Sequence, residues 1–316
     1  LDHGATSHPK PESVYQAADE ALRAGGNPGR GGHRLALEAG RRVMAAREAV
    51  ATFFGLADSS RVVFTGSATD SLNLALKGLL RPGDHVITTR AEHNALRRPL
   101  AALERQGVAV TWLPVSPDGF LDPLALRAAL RPGTRLIATH HGSNVTGAIQ
   151  PVADLAEIAR RHGALLLLDA AQTAGSHAIH MERMGIDLLA APGHKGLLGP
   201  QGCGLLLAAP GVDLTPVREG GTGSQSAAAE QPRTFPEGFE SGTLNVPAIA
   251  GLAAGLAFLT GQGPALREGE RTRALVEGLR AIPGVRVYGP QDPGSRCAVV
   301  CFTIEGIDPG EIEERL

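Results

Sequence analysis

Lysine is rare in this 316-residue chain, and one of its few lysines lies between glycines. Lysine and arginine together number 30, yet the lysines are Lys10, Lys77 and Lys195 alone. Lys195 lies in the glycine-rich stretch 192–202, between the apolar runs 187–191 and 203–209. Because a lysine amine can form a Schiff base whereas a guanidinium stays protonated, Lys195 is a candidate chemical amine. The alternative is a surface lysine in a turn.

A candidate phosphate site follows the predicted strand at residues 62–64. Ser67 and Asp70 have the spacing of a capping box that opens the next helix. Free backbone amides at such a helix start, together with the hydroxyls of Ser67 and Thr69, can hold a phosphate group. A plain helix N-cap is the alternative interpretation of the same residues.

A side-chain amide and a carboxylate follow two other predicted strands. Asn144 comes soon after the strand that ends at Thr139, and Asp169 follows the apolar run 164–168. Asn144 can donate to a ligand oxygen or serve as a turn residue. Asp169 is costly to bury unless a cation or hydrogen bonds satisfy it, although it can also cap the following turn. Strand ends meet at one edge of a parallel sheet, where these groups and Lys195 would supply what pyridoxal phosphate needs.

The elements that would position these residues alternate along the chain. Helices are predicted at 13–23 and 35–56, and short apolar strands then alternate with helical stretches from residue 61 to residue 190. Such units predict an α/β fold with a mostly parallel sheet covered on both faces. Residues 217–240 predict a long ordered or lid-like loop, with a flexible linker as the alternative. Two more helices (247–260 and 264–281), two strands (285–288 and 298–303) and the start of a further helix follow.

Composition excludes several classes of function. With a net charge of -2, 43% hydrophobic and 20% charged residues, the chain shows no basic stripe for nucleic acid and no apolar run long enough for a membrane span. Cys203, Cys297 and Cys301 are too few for a disulfide framework and form no CxxC pair, so we expect a cytoplasmic protein. A metal site is the weakest hypothesis, because the histidines at 177 and 180 lack helical flanks and a nearby carboxylate.

An ordered set of motifs resembles one known family. The motifs are Phe64-Thr-Gly-Ser-Ala-Thr-Asp-Ser-Leu-Asn73, Glu92-His-Asn-Ala95, Ser143-Asn-Val-Thr-Gly147, Asp169-Ala-Ala-Gln172, Gly193-His-Lys195 and Glu240-Ser-Gly-Thr-Leu-Asn245. Each is weak alone, but their order and spacing across the whole chain are specific. The chain resembles the class V aminotransferases of fold-type I pyridoxal-phosphate enzymes, and among them the cysteine desulfurases and selenocysteine lyases.

The resemblance implies a role for each matching residue. It implies Lys195 as the Schiff-base lysine and proton shuttle, Asp169 as the partner of the pyridine nitrogen, and His93 as a catalytic residue stacked on the ring. Further cofactor contacts are implied for Asn144 and Gln172 near the phenolic oxygen or substrate, for Ala68, Thr69 and His194 at the phosphate, and for Thr243 at the phosphate of a neighbouring subunit. A homodimer with shared active sites is therefore expected, with no metal.

The chain departs from the family pattern at two places. Pro192 stands where the family often has a serine or threonine that binds phosphate. Family members also continue for several dozen residues, with a sulfur-accepting cysteine and a carboxylate-binding arginine that have no counterpart here. We therefore expect an N-terminal segment (1–13) packing with the small domain, a large cofactor domain (14–245) and a small α+β domain (246–316) that is incomplete.

These expectations combine into one leading hypothesis and two alternatives. The leading hypothesis is a cysteine desulfurase-like enzyme that converts L-cysteine to L-alanine and passes sulfur to a cysteine absent from this chain, with an acceptor protein as a further partner. A selenocysteine lyase or another lyase or epimerase of the same class is the first alternative. A cofactor-binding scaffold without catalysis is the second, and the shortened end motivates it.

Overall fold

A computed structural model describes residues 2–29, 31–223, 227–262 and 268–315. Its helices are α1 (Glu12–Ala24), α2 (Arg34–Phe54), α3 (Ala68–Leu79), α4 (Asn94–Glu104), α5 (Pro123–Ala129), α6 (Val152–His162), α7 (Met181–Met184), α8 (Val246–Gln262), α9 (Glu268–Arg280) and α10 (Pro309–Arg315). Its strands are β1 (Val62–Thr65), β2 (His85–Thr89), β3 (Ala109–Leu113), β4 (Thr134–His140), β5 (Leu165–Asp169), β6 (Leu188–Pro192), β7 (Gly204–Ala208), β8 (Val285–Tyr288) and β9 (Cys301–Ile304).

The main sheet has seven strands in the order β1-β7-β6-β5-β4-β2-β3. Strands β2 to β6 pair in parallel, and β7 runs antiparallel to both of its neighbours, β1 and β6. The predicted α/β fold with a mostly parallel sheet is therefore confirmed. The strand order places the carboxyl ends of β4, β5 and β6 side by side, where a ligand site is expected.

Strand β5 shows why this sheet is buried on both faces. Its apolar run alternates between two cores, because successive side chains of a strand point to opposite faces. Leu166 and Leu168 pack in the core that contains residues of α2, α6 and α8, whereas Leu167 packs in the core that contains residues of α3 and α4. A continuous apolar strand is typical of a parallel sheet with helices on each side.

The C-terminal elements form a second, smaller sheet. Strands β8 and β9 pair antiparallel, and α9 packs beside β8. An isolated bridge between Ala148 and Arg296 connects this part to the loop after β4. The division into domains at residues 13 and 245 remains a prediction.

Several element boundaries differ from the sequence-based predictions. Helix α2 ends at Phe54, because Gly55 adopts a left-handed conformation with φ of 63°. Strand β9 begins at Cys301 instead of residue 298. Helix α7 was not predicted, because its four residues are too few to show a helical period in the sequence. Residues 264–267 of the predicted helix 264–281 lie outside the described residues. Across the described ranges, no helix is both long and apolar enough to span a membrane.

The predicted loop at 217–240 contains little regular structure. In the parts that the structure describes, 217–223 and 227–240, the regular element is one short 3-10 turn at Glu237–Phe239. Residues 224–226 lie outside the described residues. The loop leads into Glu240, which is buried, and then into the exposed residues Gly242 and Thr243.

Candidate active site

A cleft forms where the carboxyl ends of β4, β5 and β6 face the first turn of α3. His140, Asp169 and Pro192, the last residues of these three strands, all line the cleft. Eight of the nine predicted site residues also line it, namely Ala68, Thr69, His93, Asn144, Asp169, Gln172, His194 and Lys195. Thr243 is exposed and lies outside the lining.

Lys195 follows β6 in a loop that packs tightly on α8. An added Cβ at Gly199 would lie 2.9 Å from the Cα of Leu252, and one at Gly255 would lie 2.5 Å from the carbonyl of Leu197, so close backbone approach holds this loop. Leu198 adopts φ of 61°, a strained conformation for a residue with a branched side chain. The loop therefore presents Lys195 from a fixed backbone.

The amine of Lys195 is uncommitted. Within the described chain, its Nζ makes no hydrogen bond and no ion pair. Burial lowers the pKa of Lys195, although the charges of Asp169 and Asp2 act in the opposite direction. Since a lower pKa raises the fraction of neutral amine at a given pH, Lys195 is prepared to act as a nucleophile and as a proton acceptor.

Asp169 is a buried carboxylate with one oxygen to spare. Its Oδ1 accepts a hydrogen bond from the backbone N–H of Ala171 at 3.0 Å, and among the described residues Oδ2 has no donor. Burial raises the pKa of Asp169, and the bond from Ala171 opposes that rise while the charge of Glu92 adds to it. A cation placed against Oδ2 would therefore be strongly favoured.

Glu92 holds His140, which lines the cleft, and the sequence reasoning did not assign this role. One oxygen accepts from the hydroxyls of Thr89 (2.6 Å) and Thr139 (3.0 Å), and the other accepts from the backbone and ring of His140 at 2.8 and 3.0 Å. Four donors satisfy this buried carboxylate completely. Because His140 pairs with Asp169 in the β4–β5 register, the network also holds the end of β5 in place.

Gln150 determines which ring nitrogen of His140 carries the proton. The side-chain oxygen Oε1 of Gln150 accepts from the N–H of Leu121 at 2.9 Å, and the side-chain nitrogen Nε2 donates to the backbone carbonyl of Gly119 at 2.9 Å. The orientation of the amide is therefore fixed, and its second N–H points at Nε2 of His140, 2.9 Å away. Nε2 then accepts, so that Nδ1 bears the proton that faces Glu92. Glu92 and His140 are 48 positions apart, and no local pattern predicts the link between them.

The start of α3 has the geometry of an anion site. Ser67 caps the helix, since its hydroxyl accepts from the N–H of Asp70 at 3.1 Å, as the capping spacing predicts. The N–H groups of Ala68 and Thr69 lie in the first turn and have no acceptor within the helix. An added Cβ at Gly204 would lie 2.3 Å from the backbone carbon of Ser67, so the glycine of β7 permits this loop to sit against the sheet.

His93 caps a helix at the edge of the cleft, and the stacking role that the resemblance implies for it remains a prediction. It is the N-cap of α4, where Nδ1 accepts from the backbone N–H of Ala95 at 3.1 Å, and its exposed ring also lines the cleft. The ring lies close enough to Asp169 for its charge to lower the pKa of that carboxyl.

The remaining polar groups differ in how firmly they are held. Gln172 donates from Nε2 to the carbonyl of Gly4 at 3.3 Å. The side chain of Asn144 is exposed at the mouth of the cleft. Both positions suit contacts with a bound ligand, and the roles that the resemblance implies for them remain predictions.

The three cysteines and the histidines at 177 and 180 lie outside the lining of the cleft. Burial raises the pKa of Cys203 to about 12 and that of Cys297 to about 11, and neither residue lines the cleft. Cys301 is partly exposed on β9 and is also absent from the lining. In the described portions of the chain, no group of three or more histidine, cysteine or acidic side chains is arranged to hold a metal ion.

Comparison with known proteins agrees with this geometry. The family model described as aminotransferase class-V matches residues 1–316. The chain belongs to the class-V aminotransferase family. A probable cysteine desulfurase of Methanothermobacter thermautotrophicus is 34% identical, over 100% of this chain and 80% of that relative. The cysteine desulfurase IscS of Anaeromyxobacter sp. (strain K) is 37% identical over 88% of this chain and 68% of the relative.

Solved structures lead to the same family. The apo structure of a cysteine desulfurase from Thermococcus onnurineus NA1 matches with a TM-score of 0.91 and 32% identity, over 98% of this chain and 80% of that chain. Membership of the class-V family, which the motif set predicted, is thus confirmed, and with it the expectation of an enzyme.

Proposed function

We propose that this class-V family member is a pyridoxal-phosphate enzyme of the cysteine desulfurase type, which converts L-cysteine to L-alanine and transfers the sulfur to a thiol. The observation that carries the proposal is the pair Lys195 and Asp169. Both are buried or half-buried in one cleft, and neither the amine nor Oδ2 has a partner among the described residues. The names of the relatives support the substrate class.

The donor set of the cleft fits the proposed cofactor at its three functional ends. The N–H groups of Ala68 and Thr69 suit the phosphate, the free oxygen of Asp169 suits a protonated pyridine nitrogen, and the amine of Lys195 suits an aldehyde. His93, which lines the same cleft, offers a flat aromatic ring. When bound, pyridoxal phosphate supplies a carbonyl that reacts with amines and a ring that takes up electrons from the substrate.

Two tasks then remain for the residues of the chain. Lys195, with its lowered pKa, takes a proton from the substrate α-carbon and returns one. Asp169, held by Ala171 and the network of Glu92 and His140, stays charged when a cation lies against it. In the net reaction the C–S bond of cysteine breaks and an S–S bond forms with the acceptor thiol. The β-carbon takes up a proton to give alanine, and the acceptor leaves as a persulfide.

A homodimer with shared sites belongs to the same proposal. Thr243 is exposed outside its own cleft, in a segment that begins at the buried Glu240, as a residue serving a neighbouring site would be. Leu35, Leu37 and Met44 on α2 are 38–49% exposed and offer apolar surface for a second subunit. Light scattering on the purified chain is expected to give twice the monomer mass.

The test measures alanine released from L-cysteine, with dithiothreitol as the acceptor thiol so that sulfide forms in equal amount. Lys195→Ala is expected to lose the visible absorption band of the bound cofactor and at least about 10³-fold of the activity. Lys77→Ala, an exposed lysine of α3, is the matched control and should retain both.

Two outcomes contradict the proposal. One is a wild-type chain that gives no visible band with pyridoxal phosphate. The other is a band without alanine from L-cysteine. Selenide from L-selenocysteine in the absence of sulfide from L-cysteine would assign the chain to the selenocysteine lyases instead.

A further inference from the structure

The N-terminal segment, residues 2–10, lies on the loop that carries Lys195. The backbone N–H of Ser7 donates to the carbonyl of His194 at 3.1 Å, and the ammonium of Lys10 donates to the same carbonyl at 3.2 Å. The hydroxyl of Thr6 lies 3.1 Å from Nδ1 of His194. Partners separated by more than 180 positions thus meet on one histidine, at the residue directly before the reactive lysine.

The donors around the His194 carbonyl indicate the direction of the hydrogen bond between Thr6 and His194. Four donors lie within hydrogen-bond distance of this carbonyl, which has two lone pairs: the N–H and the hydroxyl of Ser7, the ammonium of Lys10 and the hydroxyl of Thr6. The other two hydrogens of the Lys10 ammonium go to the carbonyl and hydroxyl of Ser7, at 3.1 and 2.9 Å. Because three other donors already surround that carbonyl, the hydroxyl of Thr6, which lies 3.2 Å from it and 3.1 Å from Nδ1 of His194, is assigned as the donor to Nδ1.

This direction fixes the tautomer of His194. Burial lowers the pKa of His194, and the charges of Lys195 and Lys10 lower it further, so the ring is neutral near pH 7. With Nδ1 accepting from Thr6, the single ring proton sits on Nε2. That nitrogen has no partner in the described ranges, and His194 lines the cleft together with Ala68 and Thr69.

The same cleft lacks a hydroxyl at residue 192. Pro192 has neither a hydroxyl nor an N–H to offer, and it ends β6 at the wall of the cleft. An anion at the start of α3 therefore depends more heavily on the Nε2 proton of His194. We propose that Thr6, Ser7 and Lys10 form a positioning element of the cofactor site, in which Thr6 keeps His194 in the tautomer that donates to the phosphate. This inference rests on the proposed function.

The first test measures the Kd of wild type and of two Thr6 variants for pyridoxal phosphate and for pyridoxal. Thr6→Val removes the hydroxyl, whereas Thr6→Ser keeps it, and pyridoxal lacks the phosphate of pyridoxal phosphate. Thr6→Val is expected to raise the Kd for pyridoxal phosphate roughly tenfold, the range for one hydrogen bond to a charged group. Thr6→Ser should stay close to wild type, and pyridoxal should bind all three proteins equally.

The second test moves the donor to a group that needs no tautomer. His194→Gln places an amide N–H near the position of Nε2, so Thr6→Val should have no further effect on the Kd for pyridoxal phosphate in that background. In the histidine background the same change should cost the full tenfold. Both titrations follow the visible absorption band.

Three results would overturn the inference. Equal affinities of Thr6→Val and Thr6→Ser for pyridoxal phosphate contradict it, and so does an equal loss of affinity for pyridoxal, which would indicate general loosening. A tenfold effect of Thr6→Val in the His194→Gln background also contradicts it. Each of these leaves the proposed function intact. A wild-type chain that binds no pyridoxal phosphate contradicts both.

Discussion

Two pairs of oppositely charged residues in this protein differ in whether their polar atoms are hydrogen-bonded. Arg47 of α2 and Glu240 form a bidentate ion pair, with N–O distances of 2.7 and 2.8 Å and side chains 6% exposed. The N–H of Phe64 adds a third donor at 2.6 Å. Asp169 and Lys195, in contrast, share the cleft without direct contact, and each retains an unused polar atom among the described residues.

The difference separates structural charge from functional charge. A buried ion pair whose hydrogen bonds are complete offers nothing to a ligand, but it ties Glu240 and the segment that follows it to β1 and α2. An unpaired carboxylate and amine cost folding energy that a ligand can recover when it binds. Burial alone therefore does not distinguish these two pairs, whereas the number of uncommitted donors and acceptors does.

Substitution of Asp169 is expected to produce the largest effect on activity, without the loss of stability expected for a structural charge. Asp169→Asn should lower alanine formation by about 10²–10³-fold, because a neutral amide cannot stabilise a cation as a carboxylate does. The cofactor-free variant should be at least as stable as wild type at pH 7, measured by urea unfolding.

The sign of that stability effect follows from the pKa of Asp169. Burial raises it above the ordinary value of 3.8, so the folded chain holds this proton more tightly than the unfolded chain. Stability is then lost as the pH rises from 3.8 through the folded pKa, and Asn removes the loss. A variant that is active, or clearly less stable than wild type, would show that Asp169 is a structural residue like Glu240.

Substitution of Arg47 is expected to give the opposite pattern. Arg47→Met leaves the charge of Glu240 buried without a partner and should lower the free energy of unfolding by about 3–5 kcal/mol. The double variant with Glu240→Leu should recover most of that loss. Urea unfolding of both variants measures this, and a double variant as unstable as the single one would contradict the assigned role.

The smallest expected effect is on the reaction rate of the cysteines, which reports on the ion pair of Arg47 and Glu240. Cys203, whose pKa is raised to about 12 by burial and by the charge of Glu240, should react with a thiol reagent at pH 8 at least about 10²-fold more slowly than the partly exposed Cys301. Arg47→Met should speed the reaction of Cys203 through more frequent opening of the destabilised fold, although the unpaired charge of Glu240 acts against the thiolate. Equal rates for Cys203 and Cys301 in the native chain would show that this region opens freely.

The local part of the site could be predicted from the sequence. The cap at Ser67, the carboxylate that ends the β5 strand and the lysine that follows β6 are each encoded within a few residues of a strand end. Parallel pairing then brings strand ends together by a general rule of sheet topology. The link from Thr6 to His194 and that from Glu92 to His140 have no such local signal.

Residue types and spacing thus determined the α/β fold, the family and the candidate chemical groups, because helix and strand periods and chain-order motifs are local properties of the sequence. Only the tertiary structure decided which charged groups are paired and which stay free. Arg47 and Glu240 are 193 positions apart, as Thr6 and His194 are 188 apart. Whether such groups meet depends on the packing of the whole chain. A buried charge that meets a partner stabilises the fold, whereas one without a partner is available to bind a ligand.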